Sequence, residues 1–531
     1  MSIVARLHSM AGCVSRRSEI PAGAVCSANP WKGKVPVEAR MIRSLLLATL
    51  LLACAAPAGE QALGVNPESG ESNGFYCTGY RLPPDAFWAE ITASRGKSRV
   101  AGEAQAGEPG SSGGSLAYAV VSNEERWRAV SNGESARTVI HATRMLDVRS
   151  GEIVEHPWVV VEDGKIVSIE AARPEGSQVI ELGDVTLLPG LIDCHVHLTG
   201  DLEGDFVHRA VHETAADDAL HAVANAKKTL EAGFTTVRNV GCADYVDVAL
   251  MKAVERGEIR GPWVIPAGYS IGITGGHADE TGFRPGLLVR GPEQGIADGP
   301  DECRKAVRAQ LKYGAKVIKC VATAGVLSFE DSVGAQQLSD EELAAIVEEA
   351  SRHGVKVCAH AHGTQGILAA IKAGVASIEH GSMLDEQCIA EMKARGTFLV
   401  PTSYLATGID LANLPPKLRA KAESILPLAR KNLKAAIAAG VKIAFGTDAA
   451  VIPHGDNARE FPVYVECGLS PLDAIRTATL NAAELCGTPD RGEVAAGKLA
   501  DLIAVPGNPL ADISSLQRVS FVMQGGRVVK P

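Results

Sequence analysis

The chain has 531 residues, 46% of them hydrophobic and 21% charged, and a formal net charge of −10. That length holds two or three domains, or one large barrel with additions, and the composition is that of a globular protein. The acidic balance argues against a nucleic-acid partner, which selects for a basic face. The cysteines number 12 and lie scattered, with no CxxC pair, a pattern of neither a disulfide framework nor a zinc ribbon.

Residues 1–40 carry Arg and Ser, few acids and no clear periodicity. Met41-Ile-Arg-Ser then leads into LLLATLLLA at 45–53, followed by small residues. A positive start, a short apolar core and a small-residue exit describe a secretory signal, and the run is short for a membrane-spanning helix. The expectation is a signal peptide over 41–58, with 1–40 either an upstream artefact or an organelle-type leader. Leu51-Leu-Ala-Cys54 resembles a bacterial lipobox, which makes Cys54 a candidate lipid anchor. Both routes imply an extracytoplasmic, periplasmic or secreted location. Residues 59–136 are rich in Gly, Ser, Ala and Glu and read as a low-complexity linker, apart from an aromatic stretch at 75–88.

From 137 to 192 short strands follow one another: 138–145, then 158–162 and 165–169 around an Asp163-Gly164 turn, then 179–182 and 185–188. Short strands return at 497–505 and 519–529. These two flanks, 137–192 and 488–531, are expected to complete one small β-sandwich domain.

The stretch LLPGLIDCHVHLTG at 187–200 reads as a strand end, a Pro189-Gly190 turn and a second apolar run that delivers His195 and His197. Residues i and i+2 of an extended chain share a face, so the two imidazoles project into one space and suit a metal. A bare HxH is otherwise an ordinary surface pair. From 193 to 487 strand-like runs at 235–239, 263–267, 315–321, 356–360, 377–380, 397–401 and 442–447 alternate with helical stretches at 215–232, 300–313, 340–353, 366–373, 385–395 and 416–439. With the strand ending at His195 this makes eight βα units, so the fold class expected is α/β, a (β/α)8 TIM barrel.

Such barrels carry their chemistry at the C-terminal ends of the strands. Polar residues at those ends are His195 and His197, Lys319, His360 with His362, His380 and Asp448. Lys319 inside VIKCV is costly to bury as a cation; a salt bridge, an end-of-strand snorkel, or a carbamate formed with CO2 and bridging two cations would each explain it. Asp448 alone reads equally as a helix N-cap.

The motifs PGLIDCHVH, VIK, AHAHG, SIEHG and FGTDA resemble the amidohydrolase superfamily, and most of all its imidazolonepropionase-like branch of metal-dependent, prolidase-type dipeptidases and ochratoxin-hydrolysing amidases. The resemblance runs from about residue 138 to the C-terminus. It implies that His195 and His197 hold the more buried metal with Asp448, that N6-carboxylated Lys319 bridges to a second, and that His360 and His380 hold that second metal. It leaves His362 behind the ligands or facing substrate, and Gly275-Gly276-His277 as a loop whose imidazole polarises the scissile carbonyl. Ala278 stands where relatives often carry Gly. Two divalent ions are implied, zinc being the default for His-rich sites.

The activity so implied is hydrolysis of a linear amide C–N bond by a metal-bridging hydroxide, with Asp448 as proton acceptor and His277 at the oxyanion. Its substrates would be dipeptides of Xaa-Pro or Xaa-Arg/Lys type, or N-acyl amino acids. A ring deaminase or cyclic-amide hydrolase is the alternative, but such deaminases place a Glu three residues after the strand-five His. Here that spacing gives Gly363 and Gln365. A non-catalytic barrel scaffold is the remaining reading, though such descendants lose ligands. Candidates to meet a substrate carboxylate or amine are Tyr269, His454, Arg238 and Arg459, and Phe206, His208 and His212 follow the first metal strand as lid candidates. A homo-oligomer is compatible with the sequence.

Overall fold

The computed structural model describes residues 137–175, 178–201, 206–328 and 332–531. The expectations for the 1–40 extension, the 41–58 signal, the Cys54 anchor and the 59–136 linker, with its 75–88 aromatics, fall outside these residues, as does the side chain of Phe206.

Seven strands run parallel in two hydrogen-bonded groups. One orders Trp263–Pro266, Phe234–Asn239 and Leu191–Val196; the other orders Ile318–Val321, Val357–Ala361, Ser377–His380 and Phe398–Val400. Parallel neighbours need a crossover, here mostly a helix: Ala215–Glu231, Val246–Glu255, Pro300–Tyr313, Asp340–Arg352, Thr364–Ala373, Glu386–Arg395 and Pro416–Ala438. Helices cover the strands, so Leu191–Val196 and Val357–Ala361 are buried at every residue, which is why they read as continuous apolar runs rather than alternating ones.

Backbone hydrogen bonds link the two groups on both sides. The Pro266 carbonyl accepts Lys316 N–H at 2.7 Å, and Ile271 bridges Cys320. On the other side, residues 442–449 lie between the Phe398 and Leu191 strands, with bridges at Ile443 and Ala449 and a Cys194 N–H to Phe445 carbonyl bond of 2.8 Å. This segment was expected as a strand, and it is only intermittently laddered. Phe445 N–H turns away to the Thr477 carbonyl, 3.0 Å off, so the run of strand-to-strand bonds breaks there.

The flanks make two further sheets. A four-stranded one orders Lys165–Glu170, Trp158–Glu162, Thr138–His141 and Gln178–Glu181. A six-stranded one orders Arg527–Lys530, Phe521–Gln524, Leu502–Pro506, Val185–Pro189, Arg144–Leu146 and Ile153–Glu155, drawing on both flanks of the chain. The stretch 138–145 is therefore two strands in different sheets, broken at Ala142-Thr143. Val246–Glu255 was not foreseen: it buries Val246, Asp247, Val248, Leu250, Met251 and Val254, which leaves no clean one-sided stripe to detect.

Pro189-Gly190 is a passage between sheets rather than a sharp turn. Leu188 pairs with Ile503 in the six-stranded sheet, whereas Leu191 pairs with Phe234 among the parallel strands. Gly190 N–H is tied to the Asp501 carbonyl at 2.7 Å, and a Cβ at this position would overlap the Thr235 side chain. Gly190→Ala is expected to cost about 1–3 kcal/mol, the usual penalty for overpacking; urea denaturation with an unchanged m-value measures it.

Candidate metal centre

The C-terminal ends of the parallel strands bring six donor residues together in two groups. His195, His197 and Asp448 form one and His360, His362 and His380 the other, each with donor atoms within 4.8 Å of one another. His195 Nε2 and His197 Nε2 lie 3.4 and 3.5 Å from Asp448 Oδ1. The His195 and His380 rings are 4.9 Å apart, and His360 and His380 are 4.8 Å apart, so the groups adjoin. His380 and Asp448 are held at φ of 68° and 59°, a left-handed conformation costly for residues with a Cβ, of the kind that collects at functional sites.

Most of these rings are tethered from behind. His195 Nδ1 pairs with Glu379 Oε2 at 2.7 Å, His197 Nδ1 donates to the Gly241 carbonyl at 3.1 Å, and His362 and His380 pair through Nδ1 with Ser382 and Thr402 hydroxyls, both at 2.8 Å. Such bonds fix the tautomer and turn Nε2 towards the centre. Burial pushes His197 down to about 4 and His362 to about 3, and carries His360 and His380 well below the usual histidine range, with neighbouring imidazoles adding to the effect in the last two. Burial alone would raise Asp448, but its contacts with the neighbouring imidazoles, His195 foremost, outweigh it and hold the carboxyl well below its ordinary value. Neutral imidazoles with free lone pairs beside an ionised carboxylate are what a divalent cation binds. His360 Nε2 is buried with no hydrogen-bond partner, an orphaned acceptor that a metal would satisfy.

Lys319, 3% exposed, sits in the Ile318–Val321 strand and lines the same cavity of about 510 Å3 as the six donors. Among the described residues its amine makes no hydrogen bond or ion pair, so the salt-bridge account of Lys319 does not hold. His362 was expected behind the ligands or facing substrate; its ring stacks on His380 at 4.9 Å, inside the second donor group. His277 lines the cavity with its ring 4.5 Å from that of His360. Its backbone N–H is held by Gln337 Oε1 at 3.0 Å, and a side chain at Gly325 would overlap its ring.

The sequence profile of the amidohydrolase family matches residues 186–529. The chain belongs to the amidohydrolase family. It is similar to ochratoxinase of Aspergillus niger, with 36% identity over 434 residues that cover 75% of this chain and 88% of that protein. Among solved structures, a Xaa-Pro dipeptidase with bound methionine superposes with a TM-score of 0.71 at 38% identity, covering 75% of this chain and 100% of the other. A prolidase complexed with N-methylphosphonate-L-proline superposes with a TM-score of 0.68 at 34% identity, covering 74% and 100%. This amidohydrolase is accordingly an enzyme, a metal-binding hydrolase acting on carbon–nitrogen bonds.

Three of the expected substrate contacts of this amidohydrolase stand away from the cavity. His454 is buried, with Nε2 on the Gly200 carbonyl at 3.1 Å and Nδ1 3.5 Å from the Thr229 hydroxyl, and it braces the loop after the first strand. Arg459 is half exposed and pairs with Asp456. Arg238 is sealed in the interior, bonded to the Cys194 carbonyl, Ser377 and Glu379. Tyr269 does line the cavity and donates its hydroxyl to Asp244 at 2.8 Å. His208 and His212 stack on each other at 4.0 Å on an exposed helix, Phe206–His212, and do not line the cavity.

Glu379 went unnoticed in the sequence, although a carboxylate one residue before His380 in a buried strand required a partner. It is fully buried, and the Arg238 guanidinium 2.8 Å away and His195 together overcome its burial and hold it down to about 2. Asp193 is similarly enclosed by Thr447 and Asn457 at 2.6 and 2.8 Å. Glu379→Gln keeps the shape but removes the charge that orients His195, so metal affinity is expected to fall about 10- to 100-fold, as read by competition with a chelating dye.

Proposed function

We propose that this chain is a binuclear amidohydrolase that cleaves the linear amide bond of dipeptides or N-acyl amino acids. The observation that carries the reading is two three-donor groups opening with a buried lysine into one cavity. In this reading the parallel strands and residues 442–449 close as a (β/α)8 barrel over 193–487, with 137–192 and 488–531 as its β-sandwich and 41–58 as an export signal. His195, His197 and Asp448 would hold one divalent cation and His360 and His380 a second, with N6-carboxylated Lys319 as a further ligand and His362, the remaining donor of the second group, left for substrate. The names of the similar proteins, an ochratoxinase and two prolidase-type dipeptidases, support amide hydrolysis.

When bound, two cations of zinc type would acidify water and polarise the amide carbonyl. The chain's own groups do the rest. Asp448, whose carboxyl is held well below its ordinary value, takes the proton of the attacking water on its carboxylate and returns it to the leaving nitrogen. His277 donates a hydrogen bond to the carbonyl oxygen as negative charge develops there. Tyr269 and the cavity walls orient the substrate and exclude bulk water.

Asp448→Asn is expected to lower kcat by roughly 10²–10⁴ while elemental analysis still finds bound metal; a near-wild-type kcat with metal present overturns the role. Chelation should abolish hydrolysis in a screen of Xaa-Pro, Xaa-Arg/Lys and N-acyl amino acids, and added zinc should restore it. Turnover confined to cyclic amides would replace the linear-amide reading.

A further inference from the structure

The substrate proposal above leaves open which residue receives the substrate's charged end, and the cavity wall supplies one. The wall beside the metal donors is built from Leu405, Ile409, Ile425 and Leu426, an apolar face carried by the helix Pro416–Ala438 and the segment before it. Arg430 lies one turn beyond Leu426 on the same helix face and lines the cavity as well.

The Lys and Arg side chains on this lining are Lys319, Arg290 and Arg430. Lys319 belongs to the centre. Arg290 is already committed, 2.5 Å from Glu280 and over the Tyr269 ring at 5.6 Å. Arg430 is different: its Nε is buried with no hydrogen-bond partner, and the acid it reaches is Glu466, 3.7 Å from Nη1 and 64% exposed, a contact that water screens. A desolvated guanidinium edge without an acceptor is costly and suits a ligand carboxylate, which it can meet with two parallel bonds. Arg430 also borders a shallow outer groove with Lys431 and Lys434.

The acids on the lining point the same way. Apart from Asp448, they are Asp201, 3.2 Å from Arg209, and Glu280, which Arg290 occupies. Among the described residues of the lining, no carboxylate is spare for a cationic side chain. Resting on the amide-hydrolase reading, we infer that Arg430 binds the carboxylate of the amine-side amino acid and that the site selects substrates whose amine-side residue is apolar rather than Lys or Arg.

The test compares zinc-loaded full-length enzyme with Arg430→Met and Arg430→Lys on Leu-Phe, Leu-Phe-amide and Leu-Lys. Wild type is expected to favour Leu-Phe over Leu-Phe-amide by about tenfold or more in kcat/KM, the worth of one charge-assisted pair, and over Leu-Lys as well, whose ammonium would lose its hydration against an apolar wall. Arg430→Met should bring the acid-to-amide ratio close to one, and Arg430→Lys should keep part of the preference, which separates a lost contact from a lost fold. An acid preference that survives in Arg430→Met, or a wild type that prefers Leu-Lys, overturns the assignment. If wild type cleaves none of the three, the amide-hydrolase reading falls on its own, and calorimetry still decides the role of Arg430. L-phenylalanine should then bind wild type more tightly than L-phenylalaninamide does, and Arg430→Met should lose the difference; equal binding by wild type overturns it.

Discussion

Five imidazoles and an amine packed into one largely water-excluded space cannot all be charged, and that constraint organises the centre. Burial drives His197, His360, His362 and His380 to the neutral form, and a neutral ring has one N–H to place. The fold places it outward wherever a ring is tethered, on a carbonyl, a hydroxyl or the Glu379 carboxylate. What faces inward is then lone pairs and the carboxylate of Asp448. Metal affinity is thus the other side of a desolvation problem, solved by acceptors behind the rings rather than by the rings themselves.

The same logic explains why so much charge is tolerated deeper in. Glu379 is fully buried, but it is bound by Arg238, His195 and Ser377 at 2.8, 2.7 and 2.5 Å. Buried ion pairs of this kind contribute little net stability; what this one supplies is a fixed His195 ring. Arg238 in turn reaches the Cys194 carbonyl at 2.6 Å, so it ties the Leu191 strand to the Ser377 strand beneath the donors. A guanidinium suits that task because its five donors lie in a rigid plane.

Much of this was legible because parallel strands covered by helices leave a strong trace: an apolar run that stops at a polar residue. His195, Lys319, His360, His380 and Asp448 each stand at such a stop, and the metal donors assemble there. The pairing of Glu379 with Arg238 was not legible, since the two lie 141 positions apart and neither breaks an apolar run in a telling way. Arg238 was read as a substrate contact because an arginine in a strand looks functional from either side of the sheet. Residues 442–447 looked like an ordinary strand since hydrophobicity does not reveal where each N–H goes. Arg430 passed as one more cation on an amphipathic helix, because sequence periodicity gives a face but not what opens onto it.

The six-stranded sheet pairs Leu188, just ahead of the first metal strand, with Ile503, near the end of the chain. The seven parallel strands of the two groups and every metal donor lie between these partners, so each donor precedes Ile503 in the chain. Closing so long a loop is slow in entropic terms. The centre therefore reaches its final arrangement only after a segment downstream of every donor has joined the sheet.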